Sequence, residues 1–151
     1  MERIGAALIG VGRIGQVHLK NMVNSHSMNI YWLIDNTIVH HKIEELKGLY
    51  NLNDANISTP ENVDQVLSDD RVQVVVICVP TVYHKEFIIK SLRAGKHVFC
   101  EKPLCESTED VQECYREAKL QSKVLMCALN RRFDEQFFKV RNLVRSGDLG
   151  R

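Results

Sequence analysis

A glycine-rich turn after the first apolar run constrains this chain more than any other feature of its sequence. The run begins at Ile4, and Gly10, Gly12 and Gly15 then follow with the spacing G-x-G-x-x-G. An acidic residue, Asp35, stands at the end of the next apolar run. An apolar strand, such a turn, a helix and a distant acid form the fingerprint of a βαβ unit that binds a dinucleotide. The sequence therefore predicts a dinucleotide site.

Each glycine of the turn has its own expected role. Gly10 permits the tight turn out of the strand, Gly12 lets the backbone approach a pyrophosphate, and Gly15 allows the helix to pack closely on the strand. Arg13 and Ile14 open that helix, and its free N–H groups and positive dipole end would face the phosphates. We therefore place all five residues in the cofactor site.

The carboxylate of Asp35 is expected to accept hydrogen bonds from the adenosine ribose hydroxyls. Its charge would repel a 2′-phosphate, and no arginine follows it at positions 36–38. The sequence therefore favours NAD over NADP. A second interpretation, in which Asp35 only starts a turn with Asn36, stays open.

Size and charge limit the classes of protein that fit. The chain has 151 residues, a net charge of +1 and 44% apolar residues, which suits one well-buried core. We expect one Rossmann domain over residues 1–151. The balanced charge gives no field that would attract nucleic acid or a membrane, and no apolar run reaches the roughly 18 residues of a membrane helix. Neither is expected as a partner.

The cysteines form an odd set without a C-x-x-C pair or partnered histidines, so we expect no metal site. They are Cys78, Cys100, Cys105, Cys114 and Cys127. Free thiols in apolar runs behave as small buried hydrophobes. They favour a reducing compartment, and we expect a cytoplasmic protein. The alternative of a reactive thiol at Cys100 or Cys105 stays open.

Strand-like runs and helical periodicities alternate along the whole chain, which predicts a parallel sheet with helices on both faces. The predicted strands cover residues 4–11, 29–34, 56–58, 72–79, 97–100 and 124–129. The predicted helices cover residues 14–24, 39–50, 60–68, 85–94, 108–121 and 133–145. Six strands with crossovers make a doubly wound α/β Rossmann domain, expected in the strand order 3-2-1-4-5-6.

Local signals refine three of the helices. Thr59 before Pro60 is typical of a helix N-cap. Ser107 and Asp110 are spaced as a capping box. The side of the second helix expected to face the core consists of Ile43, Leu46 and Leu49.

Three further motifs follow the fourth, fifth and sixth predicted strands. They are Pro80-Thr81-Val82-Tyr83-His84, Glu101-Lys102-Pro103 and Asn130-Arg131-Arg132-Phe133-Asp134. With the glycine fingerprint, they resemble the nucleotide-binding half of the Gfo/Idh/MocA oxidoreductase family over essentially all 151 residues. The Gly12-Arg13-Ile14-Gly15 turn with His18 and the N-R-R-F-D run are most similar to its inositol 2-dehydrogenase subgroup.

The resemblance implies an NAD-dependent oxidoreductase that transfers hydride between a polyol or sugar carbon and nicotinamide. Glu101, Lys102 and Pro103 match the family's E-K-P motif, in which the lysine lies beside nicotinamide and substrate and a cis bond precedes the proline. Lys102 is thus the catalytic candidate, because an ammonium there would stabilise a developing alkoxide. Without the resemblance, a surface lysine in a turn is an equal alternative.

Other residues take expected roles from the same resemblance. Pro80, Thr81 and His84 match the segment that borders the nicotinamide ribose, and Arg131 falls where family members border the nicotinamide end of the cleft. Taken alone, His84 is an ordinary helix-start residue, and Arg131 beside Arg132 is an ordinary solvated pair.

The remaining histidines carry no predicted chemistry. His18 is expected to pack against or cap the first helix, and His40 and His41 are expected to be solvated.

Family members continue into a second α/β domain, which supplies most of the substrate pocket and a D-x-x-x-H pair. The present sequence ends at Arg151 without it. The sequence therefore predicts cofactor binding with poor turnover, acting on a polyol or sugar if the missing domain is supplied.

Two alternatives remain. One is a non-catalytic NAD(H)-binding module or truncated regulatory paralogue, associating with itself or with a full-length relative. The other, an adenosine ligand such as S-adenosylmethionine, is disfavoured by the E-K-P and N-R-R-F-D motifs.

Overall fold

Strands and helices alternate along the chain in the computed structural model, which describes residues 3–36, 39–147 and 150. The strands are β1 (Ile4–Ile9), β2 (Met28–Ile34), β3 (Asn56–Ser58), β4 (Val74–Ile77), β5 (His97–Cys100) and β6 (Leu125–Cys127). The helices are α1 (Arg13–Asn24), α2 (His40–Leu49), α3 (Val63–Leu67), α4 (His84–Arg93), α5 (Thr108–Leu120) and α6 (Glu135–Ser146). Short 3-10 turns cover Pro60–Asn62, Thr81–Tyr83 and Asn130–Phe133.

The strands form one parallel sheet in the order β3-β2-β1-β4-β5-β6. The predicted α/β class and strand order are therefore confirmed. The chain builds outward from β1 in one direction and then continues from β4 in the other. This reversal between β1 and β4 opens a crevice at the carboxyl ends of the strands, where doubly wound proteins bind their ligands.

Buried side chains lie on both faces of the sheet. Ala7 and Ile9 of β1 belong to one core, together with Ile88 of α4. Leu8, the residue between them, belongs to the other core, together with Leu19 of α1. This alternation has the period of two expected for a strand that is buried on both faces. Both layers of helices therefore hold the carboxyl edge of the sheet in place.

Several strands are shorter than their apolar runs. The first predicted strand extended to Val11 and the fourth covered residues 72–79, but pairing ends at Ile9 and at Ile77. Val11 and Cys78 are nevertheless buried. Burial continues into the loops at the carboxyl edge, so the apolar pattern does not mark where the ladder of hydrogen bonds stops.

Capping accounts for three further differences. Ser107 Oγ accepts from the Asp110 amide at 3.1 Å as predicted, but the Asp110 carboxylate binds Lys85 Nζ at 2.6 Å. Thr59 does not cap with its side chain, because a 3-10 turn replaces the predicted first helical turn. The last helix begins at 135 rather than 133, since Asp134 accepts from the amides of Gln136 (3.0 Å) and Phe137 (3.3 Å).

The predicted inner side of α2 is wrong at one position. Ile43 is buried and Leu46 is partly buried, but Leu49 is 69% exposed. The helix ends there, and Tyr50 and Leu52 pack against the core instead.

The contact between α1 and β1 gives a prediction about stability. A Cβ on Gly15 would collide with the carbonyl oxygen of Gly10, whereas a Cβ on Gly48 in α2 would meet no atom within 4 Å. Gly15→Ala should lower the free energy of unfolding by about 1–3 kcal/mol, because backbone must move to admit the methyl group. Gly48→Ala should raise it by up to about 1 kcal/mol, since alanine is the better helix former.

Urea denaturation of the two variants and the wild type measures this difference. Equal stability of the two variants would contradict the proposed close approach of α1 to the strand.

Candidate functional site

The glycine turn leads from β1 into α1 at the point where the sheet reverses its order. Gly10 has φ +90°, and a Cβ there would lie 2.6 Å from the Cys78 carbonyl. Gly12 is the N-cap of α1, no side chain caps the helix, and a Cβ on Gly12 would meet nothing within 4 Å. The first amides of a helix have no partners within it. The turn therefore presents backbone donors to open space, as an anion site requires.

Asp35 joins β2 to this turn. Its Oδ2 accepts a hydrogen bond from the Val11 amide at 2.6 Å, and its Oδ1 accepts from the Asn36 amide at 2.7 Å. The local turn with Asn36 is thus present, but it is only one of the two contacts of the carboxylate. Asp35 also holds the glycine turn at the carboxyl edge of the sheet.

His40 supports the same corner. Its Nε2 lies 3.1 Å from the carbonyl oxygen of Asp35 and 3.2 Å from that of Ser58. The prediction that His40 is solvated is therefore wrong, because the side chain is partly buried between β2 and β3, whereas His41 is exposed as expected.

A cleft of about 630 Å³ lies beside α1, at the carboxyl ends of β4, β5 and β6. The predicted site residues in its wall are Arg13, Ile14, Pro80, Thr81, His84, Glu101 and Lys102. Arg131 borders a neighbouring depression of about 440 Å³, which it shares with Lys102. The structure therefore gathers motifs from four separate loops at one edge, while the three glycines and Asp35 lie at the β1–β2 end.

Glu101 is the most strongly held side chain of the cleft. Its Oε1 lies 2.8 Å from His18 Nε2, and its Oε2 accepts from the Lys102 amide at 3.0 Å. The His18 ring also meets Phe99 edge-on, with 5.4 Å between the ring centroids. Sequence reasoning gave His18 only a packing or capping role. Its position one helical turn after Ile14, on the same side of α1, was the available signal.

Lys102 is exposed at the mouth of the cleft. The peptide bond between Lys102 and Pro103 is cis, in agreement with the E-K-P resemblance. Lys102 Nζ forms no ion pair with any residue that the structure describes. Its charge is therefore available to a bound molecule.

His84 is buried at the start of α4 and makes two contacts. Nδ1 lies 3.0 Å from the Pro103 carbonyl oxygen, and Nε2 lies 2.8 Å from the Val79 carbonyl oxygen. Each carbonyl belongs to a different loop of the cleft. The ring therefore ties the loop after β4 to the loop that carries Lys102.

Apolar side chains that the motifs did not single out complete the wall. They include Val79, Phe99, Met126 and Leu129, and they lie beside Phe133 of the N-R-R-F-D motif. Phe133 is 70% exposed, which shows that the described residues enclose the cleft on one side only. The motifs after the strands did not predict these residues, because an apolar residue beside a motif has the same sequence pattern as a residue of the hydrophobic core.

Four of the five thiols are buried rather than poised for reaction. Burial raises the pKa of Cys78 to about 12 and that of Cys114 to about 12, and it raises the pKa of Cys100 and Cys105 as well. The alternative of a reactive thiol at Cys100 or Cys105 is therefore wrong. Residues 3–36 and 39–147 contain no group of metal-ligating side chains that could hold an ion.

Residues 3–36 and 39–147 also include no helix with the length and apolar character that crossing a membrane requires.

Comparison with known proteins agrees with this geometry. The family model of the Gfo/Idh/MocA proteins, an oxidoreductase family with an NAD-binding Rossmann fold, matches residues 4–129. The myo-inositol 2-dehydrogenase of Thermotoga maritima is 33% identical over 149 residues, which are 99% of this chain and 42% of that protein. The inositol 2-dehydrogenase of Rhizobium meliloti is 32% identical over 95% of this chain and 41% of its own length.

A solved structure extends the comparison to the cofactor. GenD2 from gentamicin A biosynthesis, in complex with NAD, has a TM-score of 0.86 and 26% identity over 98% of this chain and 40% of its own. The chain thus spans less than half the length of the proteins it matches.

The burial of the thiols predicts slow chemical modification. Thiolate is the reactive species, and at pH 8 a thiol whose pKa is near 12 is ionised to only about one part in ten thousand. The native chain should therefore react slowly with Ellman's reagent, whereas guanidinium should release all five thiols.

Cys127 is the one thiol of the five that is partly rather than fully buried. It should account for most of the slow reaction of the native chain, so Cys127→Ser is the control variant to compare with the wild type. A fast reaction of native Cys127→Ser would contradict the assignment of the other four thiols as inert.

Proposed function

The chain belongs to the Gfo/Idh/MocA oxidoreductase family, and on this premise we propose that it binds NAD and forms the cofactor side of a site for hydride transfer. The observation that carries the proposal is the bond from the Val11 amide to Asp35 Oδ2 at 2.6 Å. It brings the carboxylate for a ribose and the backbone donors for a diphosphate into one continuous edge of the sheet.

The residues present fit the two halves of the dinucleotide. The start of α1 would hold the diphosphate, because Gly12 leaves the approach open and the helix dipole favours negative charge. Asp35, at the end of β2, would accept from the hydroxyls of the adenosine ribose. Pro80, Thr81 and His84, which line the cleft of about 630 Å³, would hold the nicotinamide half.

Asp35 supports NAD as the preferred cofactor. A carboxylate accepts hydrogen bonds from both hydroxyls of a ribose, but it repels a 2′-phosphate. The neighbouring Asn36 is exposed and uncharged. NADP would therefore meet an unfavourable charge at this corner of the site.

Lys102 carries the proposed chemistry of this chain. NAD, when bound, supplies the carbon that accepts the hydride. Lys102 Nζ lies free of ion pairs among the described residues, so it can contact the substrate hydroxyl and favour its alkoxide form as the hydride leaves. Arg131, which shares a depression with Lys102, borders the outer end of the same site.

The proposal also concerns the class of substrate and the second wall that a closed active site needs. The matched relatives named as inositol 2-dehydrogenases support a polyol or sugar, and the chain spans about 42% of the first of them. We assign the described residues to one nucleotide-binding domain. Hydride transfer needs a closed, dry site, so a second wall must come from elsewhere, through a further domain, a second copy or a longer relative.

A non-catalytic NAD(H)-binding module is the second candidate. The observation that favours it is the open cleft, in which Leu129 and Phe133 are exposed. A domain with one wall can bind a cofactor without carrying out turnover.

Cofactor binding should depend on the space above Gly12. Gly12→Val places side-chain carbons where the diphosphate would lie, and it should raise the Kd for NADH at least tenfold, which is about 1.4 kcal/mol. Gly48→Val is the matched control, because its side chain also enters open space but lies in α2. Titration of NADH fluorescence measures both. Absence of binding to the wild type at millimolar NADH, or unchanged binding to Gly12→Val, would overturn the proposal.

Lys102 should affect turnover and not cofactor affinity. Lys102→Met removes the ammonium, so the rate with myo-inositol and NAD should fall at least about a hundredfold, while the Kd for NADH should change less than about threefold. Lys119→Met, an exposed lysine in α5, is the control. Equal rates of Lys102→Met and wild type would contradict the role of Lys102.

A further inference from the structure

The cleft contains one carboxylate that is nearly withdrawn from solvent. Only 13% of the Glu101 side chain and 19% of the His18 side chain are exposed. A carboxylate in such a place needs strong donors to remain charged. It has two, His18 Nε2 at 2.8 Å and the Lys102 amide at 3.0 Å. The cleft wall therefore contains a carboxylate that is held by two hydrogen-bond partners and largely withdrawn from solvent.

This charge lies on the nicotinamide side of the cleft, if the proposed function is correct. Asp35 and the start of α1 take the adenosine and the diphosphate, so the nicotinamide must lie past β4, the strand at which the order reverses. Glu101 follows β5, the next strand, and it shares the cleft wall with Pro80 and Thr81. A nicotinamide ring bound in this cleft would therefore share it with the Glu101 carboxylate.

The two redox states of the cofactor differ in charge at this ring. Nicotinamide is positive in NAD+ and neutral in NADH, whereas the diphosphate and both riboses are the same in both. We propose that Glu101 makes the site favour NAD+ over NADH, and that His18 is the positioning residue that holds the carboxylate in place. The charge is effective because it is shielded from solvent, where screening is weak.

Besides the His18 ring that contacts Glu101, the cleft wall carries two cationic side chains, Arg13 and Lys102, and neither forms an ion pair with Glu101. Arg13 lines the cleft at the start of α1, where it faces the diphosphate common to both states. Lys102 is exposed at the mouth of the cleft, where its charge is assigned to the substrate hydroxyl. Burial first, and then the charge of Glu101, raise the pKa of the Cys78 and Cys127 thiols, so neither thiol adds a negative charge near neutral pH.

His18 is well placed for this role. Its ring is fixed between Phe99 and Glu101, and it lies on α1, the helix that starts at the diphosphate. The Glu101–His18 contact therefore links the phosphate end of the site to the loop that carries Lys102.

The test compares the Kd values of NAD+ and NADH for the full chain by isothermal titration. Glu101→Gln keeps the shape and one acceptor but removes the charge, so the Kd for NAD+ should rise about fivefold or more and that for NADH less than about twofold. Glu106→Gln, an exposed neighbour outside the cleft wall, should leave both unchanged.

Variants of His18 test the positioning role. His18→Gln retains an N–H donor and should keep the wild-type ratio of the two Kd values, whereas His18→Leu should lose part of the preference for NAD+. Thermal unfolding of each variant separates a folding defect from a binding effect. If Glu101→Gln does not fold, the difference between His18→Leu and His18→Gln in the ratio of the two Kd values tests the proposal instead.

The outcomes separate this inference from the function beneath it. A wild-type chain that binds neither cofactor refutes the proposed function. A wild-type chain that binds both, with the same Kd ratio in Glu101→Gln, refutes the role of Glu101 and leaves NAD binding intact.

Discussion

The edge of the sheet that we propose as the cofactor site depends first on the hydrogen bond from the Val11 amide to Asp35. This bond joins β2 to the turn between β1 and α1, so the carboxylate and the first amides of α1 keep a constant separation. The close approach at Gly15 fixes the start of α1 on the strand. A dinucleotide spans a long distance, and it can bind tightly only if the groups that meet its two ends are held in advance.

In the cleft at the ends of β4 and β5, contacts of buried side chains hold the loops in place, as the glycine turn and Asp35 do at the other end of the site. The buried ring of His84 joins the loops after β4 and β5 through two carbonyl oxygens. Glu101 joins the loop after β5 to α1 through His18. Lys102 therefore lies in a loop tied to its neighbours, while its Nζ forms no ion pair with the described residues, which agrees with the substrate contact that we propose for it.

The sequence was sufficient for features whose cause is local. The glycine spacing and the Asp35 position reflect contacts within one βαβ unit, so the turn was predictable. The strand order followed from the alternation of apolar runs together with the connection rules of doubly wound sheets. Strand ends were not, because Val11 and Cys78 stay buried past the last sheet pairing. His18 and Glu101 are 83 positions apart in the sequence, and His40 at the start of α2 contacts the carbonyl oxygen of Ser58 in β3. Such contacts depend on packing between distant segments, and single-sequence patterns do not encode it.

A crystal structure of the chain with NAD+ tests the central claim most directly. The account predicts a diphosphate against the backbone amides that follow Gly12 and an adenosine ribose whose hydroxyls bond to the Asp35 carboxylate. It also predicts a nicotinamide ring in the cleft between Pro80 and Glu101. Nucleotide bound elsewhere on the surface, or a glycine turn folded away from the carboxyl edge of the sheet, would contradict it.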